Sequence, residues 1–303
     1  MPVLLGPAIA GLNLKRGGCY IDGTFGRGGH SGAILKGLGA AGRLLAIDRD
    51  PAALAAAPDA LKDDPRLELI KGEFAEIGRY AEERDLLGKV DGVLLDVGVS
   101  SPQLDDAGRG FSFQADGPLD MRMDPEQRPG AAEWIAAVDE KSLRYVIRKL
   151  GEEPQAGRIA KAIVAARRLA PLERTAELAA VIENAVGRRE RKRHPATRTF
   201  QAIRIFINRE LEQLERALAA SVDVLRPGGR LCVISFHSLE DRIVKRFIRD
   251  ASREPEQYRG LPDVPPEFRP RFRAVGKAVE PTADEIAANP RARSARLRIA
   301  ERL

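Results

Sequence analysis

The sequence predicts an α/β fold in which a parallel sheet is split by a helical insert. Three observations carry this. Over the first hundred residues, short apolar runs ending in glycine or an acid alternate with helical stretches, the pattern of strands covered on both faces. From about Asp105 to Leu211 only helical periods occur. An apolar strand-like run then returns after a long amphipathic stretch.

Cys19-Tyr20-Ile21-Asp22 is the first strand, running into Gly23-Thr24-Phe25-Gly26-Arg27-Gly28-Gly29-His30 and a helix to about Leu38. Arg43–Asp48 is the second strand, and Pro51 then opens a helix, where its missing N–H does no harm. Leu67–Ile70 is the third strand, and Val93–Asp96, entered through Val90-Asp91-Gly92, the fourth. In the insert, Trp134-Ile135-Val138, Leu143-Val146-Ile147-Leu150, Ile159-Ile163-Val164 and Leu178-Val181-Ile182 recur at helical spacing. Thr175 and Glu177 sit near capping-box positions before the last of these. Leu211, Leu214, Leu218, Val222 and Leu225 form an apolar stripe. The stripe stops at Arg226-Pro227-Gly228-Gly229, a helix-end signal. Arg230–Ser235 is the fifth strand, the proline-rich residues 253–273 are loop, and Leu297–Ala300 is the last strand. The expected division is 1–105 and 212–303 for the sheet domain and 106–211 for the insert.

Composition narrows the function classes. The 303 residues are 44% hydrophobic and 31% charged, so a sizeable core can form and global disorder is excluded. Two cysteines, Cys19 and Cys232, exclude a disulfide scaffold, and with three scattered histidines they give no metal motif. Lys plus Arg number 50 against 44 acids, and the pI is about 9.5, which permits a nucleic-acid partner without requiring one. The first 14 residues are uncharged but broken by Pro2, Gly6, Pro7 and Gly11. They fall short of the roughly 20 apolar residues of a membrane span. No membrane association is expected, and the expected location is the cytoplasm.

Asp22, Asp48 and Asp96 each close a strand, where an open α/β sheet binds its ligands. A dinucleotide fingerprint would need glycine at 26, 28 and 31, but position 31 is Ser. Asp22 would also repel a pyrophosphate arriving at the helix N-terminus. A ligand with a cationic amino-acid end and a ribose fits better, and S-adenosylmethionine is one. Asp22 would then lie near the methionyl part, Gly28, Gly29 and His30 would line it, Asp48 would accept from the ribose hydroxyls, and Phe74 could face the adenine. A structural turn with exposed carboxylates is the plainer alternative.

Longer strings point to one family. They are Tyr20–Ser31, Asp96-Val97-Gly98-Val99-Ser100-Ser101-Pro102-Gln103-Leu104-Asp105, Arg109–Phe113, Gly117–Asp124, His194–Ala202, Ser235–Arg242 and Asn289–Ser294. Together they resemble the bacterial small-subunit ribosomal RNA cytosine-N4 methyltransferase family (RsmH, also called MraW). The resemblance runs nearly end to end. It implies a class I, Rossmann-like S-adenosylmethionine-dependent methyltransferase sheet with an inserted helical domain for substrate recognition. It also implies methylation of a decoding-centre cytosine in 16S rRNA, in the small subunit or its precursor, and leaves a homodimer open. Cofactor contacts carry over onto Gly28, Gly29, His30, Asp48, Phe74, Asp96 and Gln103. The opening Met1–Pro7 lacks the histidine and following acid usual in the family's arm and is assigned no role.

The N4 amine of cytosine is a weak nucleophile, so catalysis requires orientation against the methyl and acceptors for the developing positive charge. No Pro-Pro-aromatic motif follows Asp96, unlike most amino-methyltransferases. The candidate acceptors are Asp96, the Ser100 or Ser101 hydroxyl and nearby carbonyls, with Asp105 behind them. His237 either contacts base or phosphate or is bonded within its own turn. Phe111, Phe113 and Phe236 are stacking or core residues. Arg188, Arg189, Arg191, Lys192, Arg193, Arg198 and Arg204, against only Glu190, suit a phosphate backbone. A nicotinamide-dependent dehydrogenase and a non-catalytic RNA-binding factor are the competing readings.

Overall fold

A computed structural model of the chain describes residues 2–187, 194–254, 256–258 and 264–303. The chain divides into two compact units, Met1–Gly98 with Leu211–Leu303, and Val99–Glu210. The expected junction at 105/106 therefore falls inside the second unit.

The chain begins α1 (Leu5–Leu12), β1 (Cys19–Asp22), α2 (Gly29–Gly37), β2 (Arg43–Asp48), α3 (Pro51–Ala55), α4 (Asp59–Lys62), β3 (Leu67–Lys71), α5 (Ile77–Glu82) and β4 (Val90–Asp96). The second unit holds α6 (Ser101–Asp105), α7 (Ala131–Ala137), α8 (Glu140–Leu150), α9 (Ala156–Leu169), α10 (Thr175–Val186) and α11 (Thr197–Ile207). The chain returns through α12 (Glu210–Val224), β5 (Leu225–Ser235), α13 (Ser238–Ala251), β6 (Phe272–Ala274), α14 (Ala283–Ala288) and β7 (Arg296–Arg302).

The first unit is a seven-stranded sheet of order β3-β2-β1-β4-β5-β7-β6. β1 to β5 are parallel, and β7 runs antiparallel between β5 and β6. This is an open α/β, Rossmann-like sheet. Successive residues of the strands feed opposite cores, as period 2 requires. Ile21, Leu45, Ile47, Val93 and Leu95 enter one core, and Tyr20, Leu44, Leu94, Cys232 and Ile234 the other. Burial on both faces is why the strands read as unbroken apolar runs. The order reverses between β1 and β4, so the ligand crevice of such sheets opens there, at the ends carrying Asp22 and Asp96.

Two features differ from the expectation. Phe272–Ala274, read as loop in part, forms the edge strand β6, where Phe272 is buried among core residues. β5 starts at Leu225 rather than Arg230. Leu225 pairs with Val90, and the register then shifts so that Arg230 faces Gly92, which carries Pro227-Gly228-Gly229 through as an irregularity.

The second unit is helical, with Ile135, Leu143, Ile147, Ile163, Leu178 and Ile203 in one core. Among the described residues its one strand-like pairing is the bridge between Pro118 and Arg174. The fully buried Asn208 holds the 121–123 segment: its Oδ1 accepts from Met123 N at 2.8 Å and its Nδ2 donates to Met121 O at 2.7 Å. Among the described residues no helix is long and apolar enough to cross a membrane.

Candidate functional site

The loop after β1 is laid across the ends of three strands. Gly23 N donates to Leu94 O on β4, and Phe25 N donates to Ile47 O on β2. Gly26 N donates to the Asp48 carboxylate at 2.7 Å. Two positive φ angles make the turn, +55° at Gly26 and +73° at Gly28. A Cβ at Gly28 would also meet Leu61 at 2.5 Å and Phe25 at 2.9 Å. Gly23 leaves room for Phe74, whose Cβ would lie 3.2 Å from a side chain there. Phe74 therefore lies beside the loop, three residues after β3. Gly28 is the N-cap of α2, and Gly29 and His30 form its first turn.

Asp22, expected near the methionyl part of the ligand, is fully buried and holds the loop. Its Oδ1 accepts from Thr24 N at 3.1 Å, and its Oδ2 accepts from the Ser31 hydroxyl at 2.7 Å. Thr24 in turn accepts at its hydroxyl from Asp96 N at 2.7 Å, tying the loop to the end of β4. Sequence reasoning missed Ser31 and Thr24 as site residues. Their signal was their place within the Tyr20–Ser31 string.

Asp48 accepts from Gly26 N and Asp50 N through different oxygens. Burial, outweighing these bonds and helped by the nearby Asp50 and Asp22 carboxylates, pushes its pKa up to about 6. Asp96 has one enclosed oxygen, Oδ1, without a hydrogen-bond partner, while 24% of its side-chain surface remains open. Desolvation, then repulsion from Asp22 and Glu240, raises its pKa well above the carboxylate range. Burial lowers the pKa of His30, which keeps the ring neutral; the Asp22 charge and a bond to Val3 O oppose this. Among the described residues no Lys or Arg pairs with Asp22, Asp48 or Asp96.

A group of buried carboxylates without a protein cation fits a cationic ligand. S-adenosylmethionine carries a sulfonium and an ammonium, and its ribose hydroxyls can donate to the lone pairs that Asp48 retains. The Asp96 Oδ1 orphan awaits a donor of the same kind.

His237 is the N-cap of α13. Its Nδ1 accepts from Glu240 N at 3.5 Å, its Nε2 lies 3.0 Å from Glu240 Oε1, and 11% of its side chain is exposed. Of the two roles left open, the structure favours the turn-bound one. Phe236 packs at the border of the core.

In the second unit, Ser100 is the N-cap of α6, and its N–H donates to Oε1 of the buried Gln103 at 2.9 Å. Ser101 opens the helix and is exposed. Phe111 is buried, and Phe113 stacks on His194 with centroids 4.3 Å apart, so both are spoken for as packing residues. Of the basic cluster, Arg188, Arg189, Arg191, Lys192 and Arg193 lie outside the described residues. Arg198 is half exposed, with its guanidinium 3.2 Å from Glu152 O. Arg204 is corrected: it is 14% exposed and bidentate to Glu210 at 2.8 Å, a buried pair rather than a phosphate contact.

Comparison with known proteins adds the family. The model of the MraW methylase family matches residues 1–303, the whole chain. Among solved structures, a Clostridium thermocellum protein described as an rRNA methylase is 14% identical, covered over 100% of this chain and 99% of its own, with a TM-score of 0.47. An rRNA methylase from Streptococcus thermophilus is 14% identical over 98% and 93%, with a TM-score of 0.43. A Streptococcus mutans protein described as a methyltransferase, in complex with SAH, is 13% identical over 100% and 99%, with a TM-score of 0.40.

Proposed function

The chain belongs to the MraW methylase family, S-adenosylmethionine-dependent methyltransferases of ribosomal RNA, and on that premise we propose that its acceptor is the N4 amine of a decoding-centre cytosine in 16S rRNA. The observation that supports this most is the enclosed, unmatched Oδ1 of Asp96 at the end of β4.

When bound, S-adenosylmethionine supplies an electrophilic methyl group on a sulfonium. Methylation of N4 by that group would leave one N4 proton for this chain's residues to hold. The N4 lone pair is delocalised into the ring, so an acceptor on N4–H favours the pyramidal amine and stabilises the charge it develops. Asp96 is this acceptor and takes the proton, with Ser100 and Ser101 as further hydroxyl partners of the base. The raised pKa of Asp96 suits it to accept. Gly28, Gly29 and His30 line the cofactor, Asp48 binds its ribose, Phe74 borders its adenine, and Gln103 is a further contact carried over from the family's pattern. Arg198 and the basic run 188–193 contact the RNA backbone. His237 contributes through the α13 turn.

The test is methylation of isolated small subunits in vitro, with mass spectrometry of the digested RNA. N4-methylated cytidine is expected. A methyl group on carbon 5, on a ribose or on another base overturns the N4 assignment.

A further inference from the structure

α8 and α9 are consecutive helices joined by residues 151–155, and they share the core of the second unit through Leu143, Val146, Ile147, Ile159 and Ile163. With those apolar positions turned inward, their charged positions face out. Between the C-terminal half of α8 and the first turn of α9 opens a cavity of about 400 Å³, lined by Arg144, Arg148, Pro154, Gln155, Gly157 and Arg158.

Three of the six lining residues are arginines, and among the described residues none of the three is paired with a carboxylate. Arg148 donates to Pro154 O at 3.2 Å, and Arg158 donates to Gln155 Oε1 at 3.4 Å. These neutral acceptors occupy one N–H of each guanidinium. A guanidinium has five, in a planar fork that matches phosphate oxygens. Glu153, the nearest acid in sequence, is buried and lies 3.9 Å from Arg198 instead. This pocket is open and rimmed by three guanidinium groups, which suits an extended polyanion.

Beside it on α8 stands Tyr145, 62% exposed. Lys141, Arg148 and Lys149 lie three or four residues from it, so they are its neighbours on the helix surface. Between 139 and 168 the chain carries eight basic residues against four acidic ones. An uncovered aromatic ring among unpaired cations is the combination that takes a splayed base and the phosphates next to it.

We propose that the Arg144–Arg148–Arg158 pocket docks the phosphate backbone of unpaired RNA, with Tyr145 stacking on an adjacent base. This rests on the reading of the protein as an rRNA methyltransferase and adds to it a contact face remote in sequence from the 188–204 run. Three phosphate contacts at single-strand strength correspond to a salt slope of about two. Stacking of one base on one aromatic corresponds to about 5- to 150-fold in affinity.

The experiment uses the full chain and a fluorescently labelled, single-stranded fragment of 16S rRNA, with anisotropy read across a salt series. The variants are Arg144→Gln/Arg148→Gln/Arg158→Gln together and Tyr145→Ala alone. Both change exposed side chains, and their melting temperature and S-adenosylmethionine affinity should match the parent's. The triple variant should bind RNA at least tenfold more weakly at low salt and lose about two from its log–log slope. Tyr145→Ala should lose about 5- to 150-fold with the slope unchanged. Parent-like RNA affinity and slope in the triple variant, while the parent methylates small subunits, overturn the pocket alone. Displacement of the RNA by equal concentrations of a nucleoside monophosphate or inorganic phosphate overturns the backbone assignment in favour of a small-anion site. A parent that neither binds nor methylates RNA overturns both readings.

Discussion

His30 Nδ1 lies 3.6 Å from Asp96 Oδ2, while Nε2 of the same ring lies 3.1 Å from the Val3 carbonyl. A carbonyl can only accept, so the Val3 contact requires the proton on Nε2 and leaves the Nδ1 lone pair facing Asp96. The N-terminal arm thereby sets the tautomer of a histidine at the candidate site. The arm is pinned further by Leu4 N donating to Glu285 at 2.6 Å, and Pro2 lies against Gly29.

Asp96→Asn should therefore keep the fold and lose the reaction. The amide removes a buried charge repelled by Asp22 and Glu240, so the melting temperature should be no lower than the parent's. Turnover should fall by about 100-fold or more, because an amide oxygen accepts a hydrogen bond but does not take the proton. Single-turnover methylation beside a thermal melt decides this. Parent-like turnover removes Asp96 from the mechanism.

Cofactor affinity should depend on pH through Asp48. Ribose hydroxyls donate to the ionised carboxylate, so affinity is full above its pKa of about 6 and declines as the group protonates below it. The decline should approach about tenfold per pH unit. Calorimetry from pH 5 to 8 measures it, and Asp48→Asn should bind weakly with that dependence gone.

Ser31→Ala should cost about 1–3 kcal/mol, because it strips a donor from a fully buried carboxylate. Urea denaturation reads the loss. Ser31→Gly completes the glycine spacing of a dinucleotide fingerprint, yet it should not create NAD binding, since the loop still rests on the Asp22 carboxylate.

Gly28→Ala should destabilise by about 2 kcal/mol or more. The positive φ disfavours any Cβ, and this Cβ would collide with Leu61 and Phe25. Chemical denaturation gives the value; an unchanged midpoint would show that the loop relaxes at no cost.

Glu210→Gln should be more damaging than any surface charge change in the second unit. It leaves the mostly buried Arg204 without its carboxylate, a loss of about 3–5 kcal/mol. Conversely, the salt slope of RNA binding should not report on Arg204.

The parallel strands were legible because burial on both faces demands unbroken apolar runs, and the insert because amphipathic helices repeat at their own period. β6 was not: three residues after a proline-rich stretch carry no period, and Phe272 belongs to a strand only because β7 passes beside it. The start of β5 was hidden because a Pro-Gly-Gly run usually ends an element, and here a register shift absorbs it. The glycines and acids of the site were visible as residue types at strand ends. Their partnerships were not.

By itself, the sequence determined the sheet, the helical insert, the glycine loop among three acids and the membership those strings announce. Tertiary structure alone decided which acid is spent on the loop and which keeps an open oxygen, which histidine faces Asp96 and which caps a helix, and which arginine is buried in a pair. Those outcomes turn on whether two polar atoms from distant segments approach to about 3 Å, a distance that hydrophobic periodicity along the chain does not encode.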